Sequence, residues 1–98
     1  MDRDLHPTDG ARYLLERDDE LDGGVRARYR AAIYTPTAAF TATATLGNDG
    51  SVELSATGAP DELHARLLAL ARLIARDAAK RSDDGLPAWP ARILRWRR

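Results

Sequence analysis

The fold of this chain is decided by residues 25–57, which read VRARYRAAIY, TP, TAAFTATATL, GNDG and SVELSAT in order. Apolar and polar side chains alternate in three parts of this stretch, as they do in strands with one buried face. The strand-like parts are residues 25–34, 37–46 and 51–57. Thr35-Pro36 and Asn48-Asp49-Gly50 are turn signals between them. The stretch therefore predicts an antiparallel meander of three strands.

The middle strand, residues 37–46, has no charged side chain. An uncharged strand at a sheet edge invites pairing with other chains. We therefore expect residues 37–46 to be central, with the other two strands on either side. Residues 11–17 can add a fourth strand, with Tyr13 and Leu15 on one face.

Residues 60–81 have the pattern of one long helix. Pro60 suits a first helical turn, Asp61 complements the positive end of the helix dipole, and Lys80 the negative end. A helix of this length spans roughly 31 Å at 1.5 Å per residue. It can therefore lie along the whole sheet and cover one face.

These segments predict an α+β fold of two layers, an antiparallel meander of three to four strands with one long C-terminal helix on one face. A tail rich in Trp and Arg follows the helix. Ninety-eight residues suffice for one core but not for two. We expect a flexible N-terminus at residues 1–10 and a single domain at residues 11–98.

Composition excludes several classes of site. The chain has no cysteine, so disulfides, thiolate nucleophiles and cysteine-ligated metals are ruled out. No apolar run approaches the roughly 18 residues of a membrane span, and the start of the chain does not resemble a signal peptide. The expected location is the cytoplasm.

Charge is unevenly distributed although the net charge is zero. Residues 1–24 carry eight acidic side chains and three arginines, and residues 25–98 carry the basic excess. Residues 18–24 form an acidic turn with two glycines. The turn lacks the ligand spacing of an EF-hand loop, so we expect it to be solvated rather than to bind Ca²⁺.

The apolar surface of the long helix is wider than one sheet requires. Its central stripe is formed by Leu63, Leu67, Leu70 and Ile74. Alanines and further leucines extend the apolar sector to roughly 240°, where about 100° covers one layer. The shoulder formed by Leu68, Ala71 and Ala75 is therefore a candidate interaction surface. Either the C-terminal segment of the same chain or a second subunit can cover it.

The tail holds Trp89, Ile93 and Trp96, which are costly to leave in water. These three residues either cap the helix of their own chain or contact another subunit. Arginines next to aromatic rings can also contact nucleic-acid phosphates and bases. The residues for that alternative are Arg26, Arg28, Arg30, Arg92 and Arg95.

Features that would indicate an enzyme are missing. His6 and His64 have no partner at metal-binding spacing, no glycine-rich phosphate loop follows a strand, and no serine has the setting of a nucleophile. We expect no catalytic residue, metal or cofactor. The leading hypothesis is a non-catalytic protein–protein interaction module that forms a homodimer or binds another protein. The alternative is an arginine-rich nucleic-acid-binding domain that uses the open sheet face and the tail.

Overall fold

In the computed structural model, residues 5–98 are described. Four strands follow one another as an antiparallel meander, then the chain forms one long helix and returns as a fifth strand. The elements are β1 (Ala11–Leu21), β2 (Arg26–Tyr34), β3 (Ala39–Gly47), β4 (Val52–Leu54), α1 (Asp61–Asp83) and β5 (Arg92–Arg97). The strand order in the sheet is β4-β3-β2-β1-β5, and every neighbouring pair is antiparallel.

The predicted α+β class, the antiparallel sheet and the single long helix are confirmed. The uncharged strand β3 lies between β2 and β4, as its composition predicts. The turn before β4 is closed by a hydrogen bond from the Gly50 N–H to the Gly47 carbonyl (2.9 Å). Gly50 has a φ of 90° there, a conformation that glycine adopts without strain.

The predictions of three to four strands and of a Trp/Arg-rich tail after the helix are wrong in part. Residues 11–17 belong to an 11-residue strand, β1, and part of the tail, Arg92–Arg97, is a strand, β5, which pairs with β1. The tail forms a strand because β1 needs a partner on its outer side: Ala11 and Tyr13 to Leu15 are all buried. A strand this apolar is unfavourable at an edge, and β5 covers it.

Residues 5–10 lie beside the sheet and make specific contacts. Pro7 is buried, and the His6 Nδ1–H donates a hydrogen bond to the Thr35 carbonyl (2.7 Å). The carbonyl of Asp9 accepts a hydrogen bond from Trp96 Nε1 (3.0 Å). The prediction of a flexible terminus also covers residues 1–4, which lie outside the described residues.

The core lies between α1 and one face of the sheet. Its largest fully buried side chains are Trp89, Tyr13, Tyr29, Leu15, Ile33, Leu46 and Leu67. The buried residues of α1 are Leu67, Ala71, Ile74, Ala75 and Ala78. The predicted stripe is Leu63, Leu67, Leu70 and Ile74. At 100° per residue, the centre of the buried stripe is rotated about the helix axis by about 50° from the centre of the predicted one. Small side chains let the helix approach a sheet that already carries bulky aromatic residues.

Candidate interaction surfaces

The predicted shoulder of α1 is not a free surface in the monomer. Ala71 and Ala75 are fully buried against the sheet, so they are unavailable to another subunit. Leu68 is half-buried and lines a shallow hollow of about 620 Å³ between α1 and β4. Leu73, on the other side of the helix, is 47% exposed. The most exposed leucine of α1 therefore lies on the side that faces β5.

Trp89 anchors the C-terminal segment to its own chain. Its side chain is 1% exposed, and the indole Nε1 donates a hydrogen bond to the Gly24 carbonyl (2.7 Å). The Trp89 carbonyl accepts a hydrogen bond from the Arg17 guanidinium (2.7 Å). Ile93 is also buried, whereas Trp96 is 46% exposed. Of the three predicted tail contacts, only Trp96 is available to a partner.

Tyr29 fixes the segment that follows Trp89. Its side chain is fully buried, and its hydroxyl donates a hydrogen bond to the Pro90 carbonyl (2.7 Å). Burial raises the pKa of Tyr29 to about 12, and the positive charges of Arg17 and Arg81 oppose part of this rise. The folded protein therefore favours the neutral hydroxyl more strongly than the unfolded chain does.

Alkaline pH is expected to destabilise the protein through Tyr29. An unfolded tyrosine has a pKa of about 10. The stability that comes from burying the neutral Tyr29 hydroxyl is therefore complete below pH 10 and is lost as the pH rises to about 12. The full loss amounts to about 2–3 kcal/mol. Urea unfolding between pH 9 and 12 measures it. Tyr29→Phe should flatten this dependence while costing about 1 kcal/mol at neutral pH for the lost hydrogen bond. An equally steep alkaline loss in Tyr29→Phe would contradict the assignment.

The predicted arginine row lies on the open face of the sheet, beside acidic side chains from the end of β1 and the turn that follows it. Arg26 Nη2 is 2.7 Å from Asp22 Oδ2, and Arg28 Nε is 3.1 Å from Asp18 Oδ2. The turn predicted at residues 18–24 is shorter, because residues 18–21 belong to β1 and the turn is Asp22–Gly24. Asp18 of β1 and Asp22 of the turn thus supply carboxylates to two arginines of the row. These exposed pairs add little stability, but they lower the net charge that a phosphate backbone would meet.

Of the other predicted phosphate-contacting arginines, only one shares a face with this row. Arg92 lies on the open face, 3.8 Å from Glu16. Arg95 pairs with Tyr13 in the β1–β5 register and lies on the opposite, helix-covered side. Arg30 has no ion pair within residues 5–98, but Glu16 is its cross-strand neighbour. The five arginines are therefore divided between two faces.

The outer edge of β5 presents backbone hydrogen-bonding groups. The Arg17 N–H donates a hydrogen bond to the Ala91 carbonyl (2.9 Å), so Arg17 and Ala91 form a hydrogen-bonded pair at the end of the β1–β5 ladder. Every second pair counted from there is also hydrogen-bonded. Such pairs alternate along an antiparallel ladder. The backbone groups of Arg92, Leu94 and Trp96 consequently point away from β1.

A groove of about 400 Å³ runs between α1 and β5, and sequence reasoning missed it. Its floor includes Tyr13, and its rim includes Arg66 and Arg97. The groove depends on the pairing of β5 with β1, and the sequence did not predict that pairing. The exposed Leu73 and the neighbouring arginines were its only local signal.

Residues 5–98 contain no cluster of three or more His, Asp or Glu side chains arranged to hold a metal ion. His64 lies at the start of α1, with its Nδ1 3.2 Å from Thr57 Oγ1. In the same described part of the chain, no helix has the length and apolar character needed to cross a bilayer. Comparison of the chain with protein-family models, with curated proteins and with solved structures finds no match.

Proposed function

We propose that this protein is a small non-catalytic protein–protein interaction module that self-associates through the outer edge of β5. The observation that carries the proposal is the position of β5, a six-residue strand at the end of the sheet. The opposite edge is β4, which has three residues and offers little to pair with. An exposed edge strand is a ready template for another strand, and adding one is a common mode of protein recognition.

Two copies of β5 can pair antiparallel around a two-fold axis at Leu94. In this register Leu94 faces its own copy, and Arg92 faces the partner subunit's Trp96. All outward backbone groups of Arg92, Leu94 and Trp96 then form hydrogen bonds. The half-exposed indole already has the Arg98 guanidinium 5.6 Å from its ring centroid, and the partner subunit's Arg92 adds a second guanidinium neighbour.

Charge favours this register over one shifted by a residue along each strand. Around Leu94 no arginine lies directly opposite an arginine, because Arg95 faces the partner subunit's Ile93. A two-fold axis at Arg95 instead places two guanidinium groups opposite each other, which is destabilising. The chain has no net charge, so two copies do not repel each other at long range.

Arg92→Pro is expected to weaken the dimer at least about fivefold. The proline removes an outward N–H from each copy, and losing two hydrogen bonds costs about 1–3 kcal/mol. Pairing with β1 survives, since the Arg92 N–H does not point towards β1. Size-exclusion chromatography with light scattering, across protein concentration and salt, measures the association.

Arg92→Ala is the matched control, because it removes the same side chain and the Glu16 ion pair but keeps the backbone N–H. It should dimerise more strongly than Arg92→Pro. A wild-type protein that stays monomeric at all concentrations would refute self-association, as would equal dimerisation of the two variants. Dissociation on adding salt would point instead to charge-based contacts.

A further inference from the structure

The groove between α1 and β5 has the composition of a ligand site. The side chains that give it this character are Tyr13, Arg66, Leu70, Leu73, Arg95 and Arg97. Its volume of about 400 Å³ lies within the range of small-molecule sites, roughly 300–1,000 Å³. One wall is apolar and the other carries positive charge.

Tyr13 lines this groove and carries an unused hydrogen-bonding group. The residue is 2% exposed, and its hydroxyl is buried without a hydrogen-bond partner among residues 5–98. Buried hydroxyls are nearly always paired, as the Tyr29 hydroxyl is with Pro90. An unpaired one destabilises the free protein and can be satisfied by an incoming acceptor.

The arginines next to Tyr13 provide the charge. Arg95 lies directly opposite Tyr13 in the β1–β5 ladder, and Arg97 lies opposite Ala11. Within the described chain neither guanidinium has a carboxylate at ion-pair distance, and Arg95 donates only to the neighbouring Leu94 carbonyl (3.1 Å). Arg66, by contrast, is bonded to Glu62 (2.9 Å). The groove therefore carries two uncompensated positive charges beside an unpaired hydroxyl.

The helix side of the groove is suited to an apolar chain. Leu70 and Leu73 are one turn apart on α1 and form a short stripe along the groove. Leu73 is 47% exposed, so its side chain loses apolar contact with water when a ligand covers it.

We propose that this groove binds a linear aliphatic carboxylate of the fatty-acid class. Arg95 and Arg97 bind the carboxylate, and one carboxylate oxygen accepts a hydrogen bond from the Tyr13 hydroxyl. The alkyl chain lies against Leu70 and Leu73. Because the hydroxyl is buried in the free protein, the side chains that cover it move aside when the ligand enters.

The test uses dodecanoate below its micelle concentration, with calorimetry for affinity and amide chemical shifts for location. Dodecanoate should bind with one ligand per chain and shift the amides of β5 and of the Leu70–Leu73 turn. Dodecanol and dodecyltrimethylammonium have the same chain but no anion, and both should bind at least tenfold more weakly. Equal binding of the three compounds, or no binding of dodecanoate, would overturn the proposal.

Tyr13→Phe separates a ligand-binding role from a structural one. It removes only the hydroxyl, so the free protein should be as stable as the wild type or more stable, while dodecanoate binds about fivefold more weakly. A variant that loses stability but keeps its affinity would overturn the assignment of Tyr13.

The double variant Arg95→Ala/Arg97→Ala should lose at least tenfold in affinity for dodecanoate. Arg30→Ala, on the open face, is the matched control and should bind as the wild type does. Equal affinities of these two proteins would overturn the carboxylate assignment. Self-association is read separately as mass in solution, so failure of either proposal is distinguishable from failure of the other.

Discussion

Trp89→Ala is expected to destabilise the protein by about 3–5 kcal/mol, the range for removing a large buried aromatic side chain. Trp89 is 1% exposed and is among the largest fully buried side chains of the core. The substitution opens a cavity and removes the hydrogen bond to the Gly24 carbonyl. Since domains of this size have a total stability of about 5–15 kcal/mol, a large fraction of the variant should be unfolded at moderate urea concentrations.

Trp96→Ala is the matched control for this experiment. It removes the same type of side chain from the same segment, but Trp96 is 46% exposed and its Nε1 donates to the Asp9 carbonyl at the surface. We expect a loss of about 1 kcal/mol. Urea unfolding followed by circular dichroism measures both variants. Similar losses in the two would contradict the anchoring role of Trp89.

Trp89→Phe separates the stability that comes from apolar burial of Trp89 from the stability that comes from its hydrogen bond. Phenylalanine retains much of the apolar contact but leaves the Gly24 carbonyl without its donor. Its cost should fall between those of Trp89→Ala and Trp96→Ala. This order would show that the segment before β5 is held mainly by apolar burial.

The elements that could be predicted from sequence are those with a local pattern. Alternation located β2 and β3, helical periodicity located α1, and the lack of charge in β3 predicted its central position. β5 had no comparable signal, because only Ile93 is buried among Arg92–Arg97. Its strand conformation depends on pairing with β1, which is distant in sequence.

The arginine row illustrates the same difference between local and long-range information. Alternation predicted that Arg26, Arg28 and Arg30 share a face, but not which groups lie beside them. The register of β1 shifts between Arg17 and Asp19 and continues with Asp19 opposite Arg28. This irregularity changes which side chains of β1 meet the arginines. A strict alternation rule cannot anticipate such a change.

The orientation of α1 was ambiguous for a related reason. An apolar sector of roughly 240° contains several stripes wide enough to cover a sheet. The choice among them depends on the shape of the opposing layer. Here the sheet side of the core already holds Tyr13, Tyr29 and Trp89, and the stripe that contains alanines fits against it.

Ala75→Glu and Leu73→Glu test this orientation directly. Ala75 is fully buried in the core, so Ala75→Glu places an unpaired carboxylate there and should cost more than about 3 kcal/mol. Leu73 is 47% exposed, and Leu73→Glu should change the stability by no more than about 1 kcal/mol. Both variants introduce the same side chain into the same helix, so helix propensity contributes little to the difference.

Urea unfolding and solution mass, measured together on the two variants, distinguish the orientations. If Ala75 instead faced a second subunit, Ala75→Glu would give a folded monomer with nearly normal stability. If the helix buried the predicted stripe of Leu63, Leu67, Leu70 and Ile74, Ala75 and Leu73 would both lie outside it, on opposite sides. The two substitutions would then differ much less. A strongly destabilised Ala75→Glu beside a stable Leu73→Glu is expected only when the alanine stripe faces the sheet. Leu73 is then left at the groove beside β5, where the proposed ligand would cover it.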